Sequence, residues 1–124
     1  MAESIEVQMA KILDEYSQEV QDVTNSAIKR VSRETVNRLK SSSPKKSGSY
    51  AKGWAVKDLN RHGNIVNVVV HNRTDYQLTH LLENGHVIRN KKGTYGRAPA
   101  HPHIRPAEQW ANNELPAEIE RELR

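Results

Sequence analysis

No glycine or proline occurs between Ile5 and Lys40, and apolar residues recur along that stretch at three- and four-residue steps: Met9, Ile12, Leu13, Tyr16, Val20, Val23, Ala27 and Val31. That spacing draws a single apolar stripe along an α-helix, with charged residues opposite. At 1.5 Å per residue the helix is roughly 50 Å long, more than a compact fold of this chain length needs. Part of it is therefore expected to overhang its own sheet and pack on a neighbour. The seven-residue spacing slips after Ala27, which argues against a free-standing coiled coil. Pro44 ends the helix, because proline drives the preceding residue, Ser43, out of helical backbone.

Beyond that point the period changes. "GWAVKDL" (53–59) and "NIVNVVVH" (64–71) alternate as strands do and flank the turn "NRHG", predicting a hairpin with Val66, Val68 and Val70 on one face. "TDYQLTHLLENG" reads as a short helix, with Thr74 and Gln77 spaced for a capping box and Gly85 for a left-handed cap. Leu78, Leu81 and Leu82 share the face expected to sit on the sheet. "HVIRN" is a candidate third strand. The closing helix is expected near Pro106, with Ala107, Trp110, Ala111, Leu115 and Ile119 as its stripe and a kink or restart at Pro116. The expectation is one α+β domain over residues 1–124: a long N-terminal helix, a small antiparallel β-sheet with a short helix, and a C-terminal helix packed on the sheet. Flexible basic loops are expected at 41–52 and 90–103.

Charge is unevenly distributed. Residues 1–23 hold six acids and one lysine, net −5; residues 24–106 hold sixteen Lys/Arg and four acids, net +12; residues 107–124 hold five acids and two arginines, net −3. A basic middle between acidic ends suits a nucleic-acid surface. It equally suits subunits that meet acidic end to basic middle. Hydrophobic residues make up 35% of the chain and Phe is absent. The core must therefore be lean, which favours burial against other subunits. With no cysteine, disulfides and thiolate metal sites are excluded. No apolar run reaches the roughly 20 residues of a membrane span, and the start does not read as a signal peptide, so a cytosolic starting compartment is expected.

Little in the pattern points to chemistry. His101 and His103 lie two apart, so extended backbone would place them on one side, with His80 or His86 as further ligands. No carboxylate accompanies them in sequence and there is no H-E-x-x-H helix, so no metal is expected. The serines lie in a loop without a nucleophile elbow. Glu83 reads as a surface charge or ion-pair partner, and Trp54 and Trp110 as core or interface anchors. In "GRAPAHPHIRPAEQW" the prolines fix φ and lower the entropy lost when an exposed arm docks. Arg97, His101, His103 and Arg105 are its candidate contact groups, and Lys45, Lys46, Lys91 and Lys92 serve the two loops. Arg97 and Arg105 are the residues expected to pair with acids of a neighbour.

Three stretches, "SPKKSGSYAKGW" (43–54), Leu81-Leu82-Glu83-Asn84-Gly85-His86 and "PHIRPA" (102–107), occur in an order that resembles one family. These are the tail-component, or head–tail joining, proteins of long-tailed bacteriophages, and the likeness covers nearly the whole chain. The resemblance implies a non-enzymatic virion protein built in the host cytoplasm as a homo-oligomeric ring of six copies. It would act in the neck or in tail completion, between the capsid connector and the tail-tube or tail-terminator proteins. Genomic DNA would pass through the lumen, and neither cofactor nor membrane is involved. Pro116 departs from the family pattern and bears on the straightness of the last helix. Two other readings stay open: a basic nucleic-acid-binding module or small ribonuclease, and a bacterial adaptor that packs through the long helix.

Overall fold

A computed structural model describes residues 4, 5, 8, 9, 18–45, 48–90 and 93–124. Its class is α+β. Ile5, Gln8 and Met9 are helical, and helix α1 runs Gln18–Ser42. Ile12, Leu13 and Tyr16 of the expected stripe lie outside the described residues. A four-residue helix, α2 (Ser49–Lys52), leads into strands β1 (Trp54–His62) and β2 (Ile65–Asn72). A 3-10 turn at Tyr76–Leu78 runs into α3 (Thr79–Asn84), followed by β3 (His86–Asn90), β4 (Gly93–Ala98) and the closing helix α4 (Ile104–Glu122).

The face that α1 buries is only half apolar. Gln21, Thr24, Ala27, Val31, Ser32, Thr35, Val36 and Leu39 point inward. Helical spacing is kept, but hydroxyls replace much of the expected hydrocarbon. Each buried hydroxyl finds a nearby carbonyl: Thr24 donates to Val20, Thr35 to Val31 and Ser32 to Lys29. A buried polar group satisfied in this way costs little, which is how a lean core tolerates it. The helix ends at Ser42, one residue before Ser43, as Pro44 requires.

β1 and β2 pair antiparallel from Trp54↔Asn72 to His62↔Ile65, with an irregularity between Leu59 and His62. The turn is tighter and later than "NRHG": Gly63 and Asn64 make it, and Gly63 supplies the positive φ (62°) that a two-residue hairpin turn needs. Asn25 fastens this turn to α1, donating its amide N–H to the Asn64 carbonyl and accepting from the Val66 N–H. Gly53 sits where backbone passes close to the next loop. A Cβ there would lie 2.1 Å from Thr74 Oγ1 and 2.6 Å from Asn72 Oδ1.

Four expectations need correction. β3 is not a third strand of the first sheet; it pairs with β4 in a separate hairpin, so much of the expected loop over 90–103 is strand. The capping box at Thr74 does not form: Thr74 Oγ1 bonds to Ser49, Asn72 and Asp75 instead, and a 3-10 turn takes the place of the first helical turn. Gly85 has the positive φ expected of it (76°), but its ψ of 172° is extended, so the chain leaves as a strand rather than in a left-handed cap. Leu81 is exposed, and of the three leucines only Leu78 and Leu82 reach the core.

α4 stays helical through Pro116. Proline removes the donor that would have served the Asn112 carbonyl, but Asn112 and Pro116 are both exposed, so water can replace that bond. Trp110 is half-buried rather than a core anchor, with the Arg38 guanidinium 4.0 Å over its ring. A second tie between the helices runs from Arg30 to Glu118 at 2.5 Å, with Arg121 on the same carboxylate.

The core proper is Val36, Leu39, Tyr50, Trp54 and Ala107, with Val70, Leu78, Leu82 and Ile104 packed around it. Trp54 can be buried here because Ser43 Oγ accepts its indole N–H at 2.8 Å while donating to the Leu39 carbonyl. Ser43→Ala should therefore leave a buried N–H without an acceptor and cost about 1–3 kcal/mol. The exposed Ser42→Ala, which loses only a hydroxyl bond to the Arg38 carbonyl, should cost under about 0.5 kcal/mol. Urea denaturation of the two variants beside the parent chain measures the difference.

Candidate functional site

The three stretches singled out in the sequence converge on one place. Tyr50 from the first, Glu83 from the second and His103 from the third form a continuous hydrogen-bonded chain. Tyr50 Oη lies 2.6 Å from His103 Nε2. His103 Nδ1 lies 2.6 Å from the His101 carbonyl and 3.1 Å from Glu83 Oε1. Both neighbours of Nδ1 only accept, so that nitrogen carries a proton and donates to them; in the neutral ring Nε2 then accepts from the Tyr50 hydroxyl. Tyr50, Trp54 and His103 also meet edge to face, with centroids 5.5 to 6.2 Å apart. Such pairs contribute about 0.5–1.5 kcal/mol each beyond the area they bury.

Glu83 has a second task. The first backbone N–H groups of a helix have no partner inside it. At the start of α4, Glu83 Oε1 accepts from His103 N and Ile104 N, both at 2.8 Å, and Oε2 accepts from Arg105 N at 3.1 Å. The next residue is Pro106, which has no N–H to satisfy. One carboxylate and one proline thus close the whole helix start, and the negative charge sits at the positive end of the helix dipole. Burial alone would raise the Glu83 pKa. The three backbone N–H groups and nearby His103 outweigh that, holding the carboxyl below its ordinary value. Burial, reinforced by Glu83, pushes the Tyr50 phenol up to about 12.

A tyrosine, a histidine and a carboxylate in sequence could pass a proton, but this geometry is structural. His103 is 1% exposed, so no substrate reaches the ring. Both Glu83 oxygens are committed to backbone donors, and the Tyr50 proton is held far above neutral pH. Asn72 locks the near side: it is buried, donates to the Tyr50 carbonyl and accepts from the N–H groups of Thr74 and Asp75. Among the described residues no group of three or more His, Asp or Glu side chains could hold a metal ion.

The expected contact residues separate accordingly. His103 is not a surface contact group; it belongs to the core, because its two ring nitrogens find partners there that an exposed loop could not offer. Lys45, His101 and Arg105 are exposed, and their side chains make no hydrogen bond or ion pair among the described residues. Arg97, also exposed, donates to the Asn84 carbonyl at 3.2 Å. Lys46, Lys91 and Lys92 lie outside the described residues.

Arg97 belongs to the β3–β4 hairpin, which packs mainly on itself. Its base is fixed at Gly85, where a Cβ would lie 2.7 Å from the Ala98 carbonyl oxygen. Val87 and Ile88 are exposed on it. Tyr50 and Glu83 were missed as site residues because nothing local marks their partners. The usable signal was the order of the three separate stretches in the sequence.

Residues 8–85 match the model of the HK97-gp10-like family, described as a bacteriophage tail component. The match spans α1, the first hairpin and α3, and stops just past Glu83; "PHIRPA" lies beyond it. No curated protein and no solved structure matches the chain. Among the described residues no helix is long and apolar enough to cross a membrane.

Removing the carboxylate should uncap α4. Glu83→Ala leaves the part-buried N–H groups of His103 and Ile104 without an acceptor and should cost on the order of 1–2 kcal/mol. Because the Glu83 pKa is lowered by folding, its contribution is complete above the unfolded carboxylate value of about 4.3 and is lost as pH falls through the folded value. Denaturation of parent and Glu83→Gln chains across pH 2–7 should show curves that diverge at neutral pH and converge in acid.

Proposed function

We propose a role for this chain from one premise: it belongs to the HK97-gp10-like family of bacteriophage tail components, whose model matches residues 8–85. Membership makes it a virion-associated, tail-related structural protein of a kind that is typically non-enzymatic. Within that role our reading is a ring subunit at the head–tail joint, six copies linking the capsid connector to the tail-tube or tail-terminator protein. The observation that carries this reading is the division of labour in the fold. Its buried polar chemistry is spent inside, closing α4, while apolar groups are left outside: among the described residues Ile5 is 71% and Met9 56% exposed. Such a surface is typical of a part awaiting assembly.

Ring closure needs a head-to-tail contact in which one patch meets a different patch on the next copy. The opposed charges of the N-terminal segment and the middle of the chain supply such a pair. In this reading the β3–β4 hairpin, with Arg97 exposed, reaches a neighbouring subunit or ring. A basic lumen would let DNA slide past on weak, salt-dependent phosphate contacts.

Deleting the gene should leave filled heads and finished tails that do not join, as seen by electron microscopy of lysates. Infectious particles at normal yield would refute the assignment. Arg105→Ala should lower the yield of joined particles while leaving the melting temperature of the isolated chain unchanged, since its side chain is exposed and makes no bond among the described residues. Thermal denaturation and particle counts check both halves.

A further inference from the structure

α1 packs against both the first hairpin and α4. Between them lies an apolar groove of about 450 Å³, walled by Ile28 and Val31 of α1, Val66 and Val68 of β2, and Ala111 and Leu115 of α4. From this groove we infer that the N-terminal segment of a second copy, residues 5–16, docks there through its apolar side chains and makes the head-to-tail contact. The inference rests on the ring reading above and names the surfaces that build it.

Two observations support this occupant. In the sequence the segment carries apolar residues at three- and four-residue steps, Ile5, Met9, Ile12, Leu13 and Tyr16, and the described members Ile5 and Met9 are uncovered. Apolar anchors at such spacings are a common means of filling an apolar groove. The charges also fit. Among the lining residues Glu108 is the one charged side chain, and Lys11 is the one base in residues 1–23. The segment's acids, Glu6, Asp14 and Glu15, would border a subunit whose residues 24–106 carry net +12.

The chain has no cysteine, so an engineered pair reports without background. Particles should be assembled with the Met9→Cys/Ala111→Cys chain, oxidised, and run under non-reducing denaturing conditions. The expected result is a ladder of covalent oligomers ending at the closed ring, abolished when Val68→Glu is added to the groove. An intrachain disulfide confined to monomers would mean that the segment covers its own groove, and would overturn the inference. So would particles that contain the variant but show no disulfide. Either result would leave the joint assignment standing, whereas absence of the parent chain from purified particles would refute the assignment itself.

Discussion

The architecture turns on a single carboxylate. Glu83, at the end of a short helix, takes the free N–H groups that open α4 and the Nδ1 proton of His103, while the far side of that ring meets Tyr50. Segments distant in sequence are held to one another by directional bonds rather than by hydrocarbon alone. The interaction is strong because the acceptor is charged, the donors are fixed in backbone, and the site is shielded from water. Without it, α4 would begin with unsatisfied donors beside the core that Ala107 and Ile104 help to build.

The same economy runs through the rest of the molecule. A chain with 35% hydrophobic residues and no phenylalanine cannot fill its interior with hydrocarbon. It fills the gaps with polar groups whose partners are built in. Ser43 serves Trp54, Asn72 serves Tyr50 and the loop beyond it, and Asn25 serves the hairpin turn. Polar links of this kind fix geometry more tightly than apolar contacts and add less net stability. A fold made this way holds a definite shape yet leaves an apolar groove open to its surroundings.

The long-range order of elements was legible in the sequence because periodicity is a local property: α1, the first hairpin, α3 and α4 all follow from it. Helix ends at Pro44 and a positive φ at Gly85 were legible for the same reason. What was hidden depends on residues far apart. Nothing near Glu83 announces that its partners are the backbone of residues 103–105, and "HPH" reads as an exposed arm until Tyr50 is seen beside His103. Thr74 and Gln77 had the spacing of a capping box, but Asn72 and Asp75 compete for the threonine hydroxyl. The second hairpin escaped notice because "GTYGRA" has two glycines and no apolar alternation.

Glu83 also sets the boundary of what lies between its bonding partners. Residues 84–102 leave the body and return to it at points held within hydrogen-bonding distance, so they form a loop whose closure is already fixed by the scaffold. Closure entropy grows only as the logarithm of length, roughly 0.6 kcal/mol for each doubling. A longer, shorter or differently charged excursion can therefore be grafted at this point with little strain on the body. The chain is in effect a fixed body with an excursion whose length and charge can vary without disturbing the bonds that Glu83 makes.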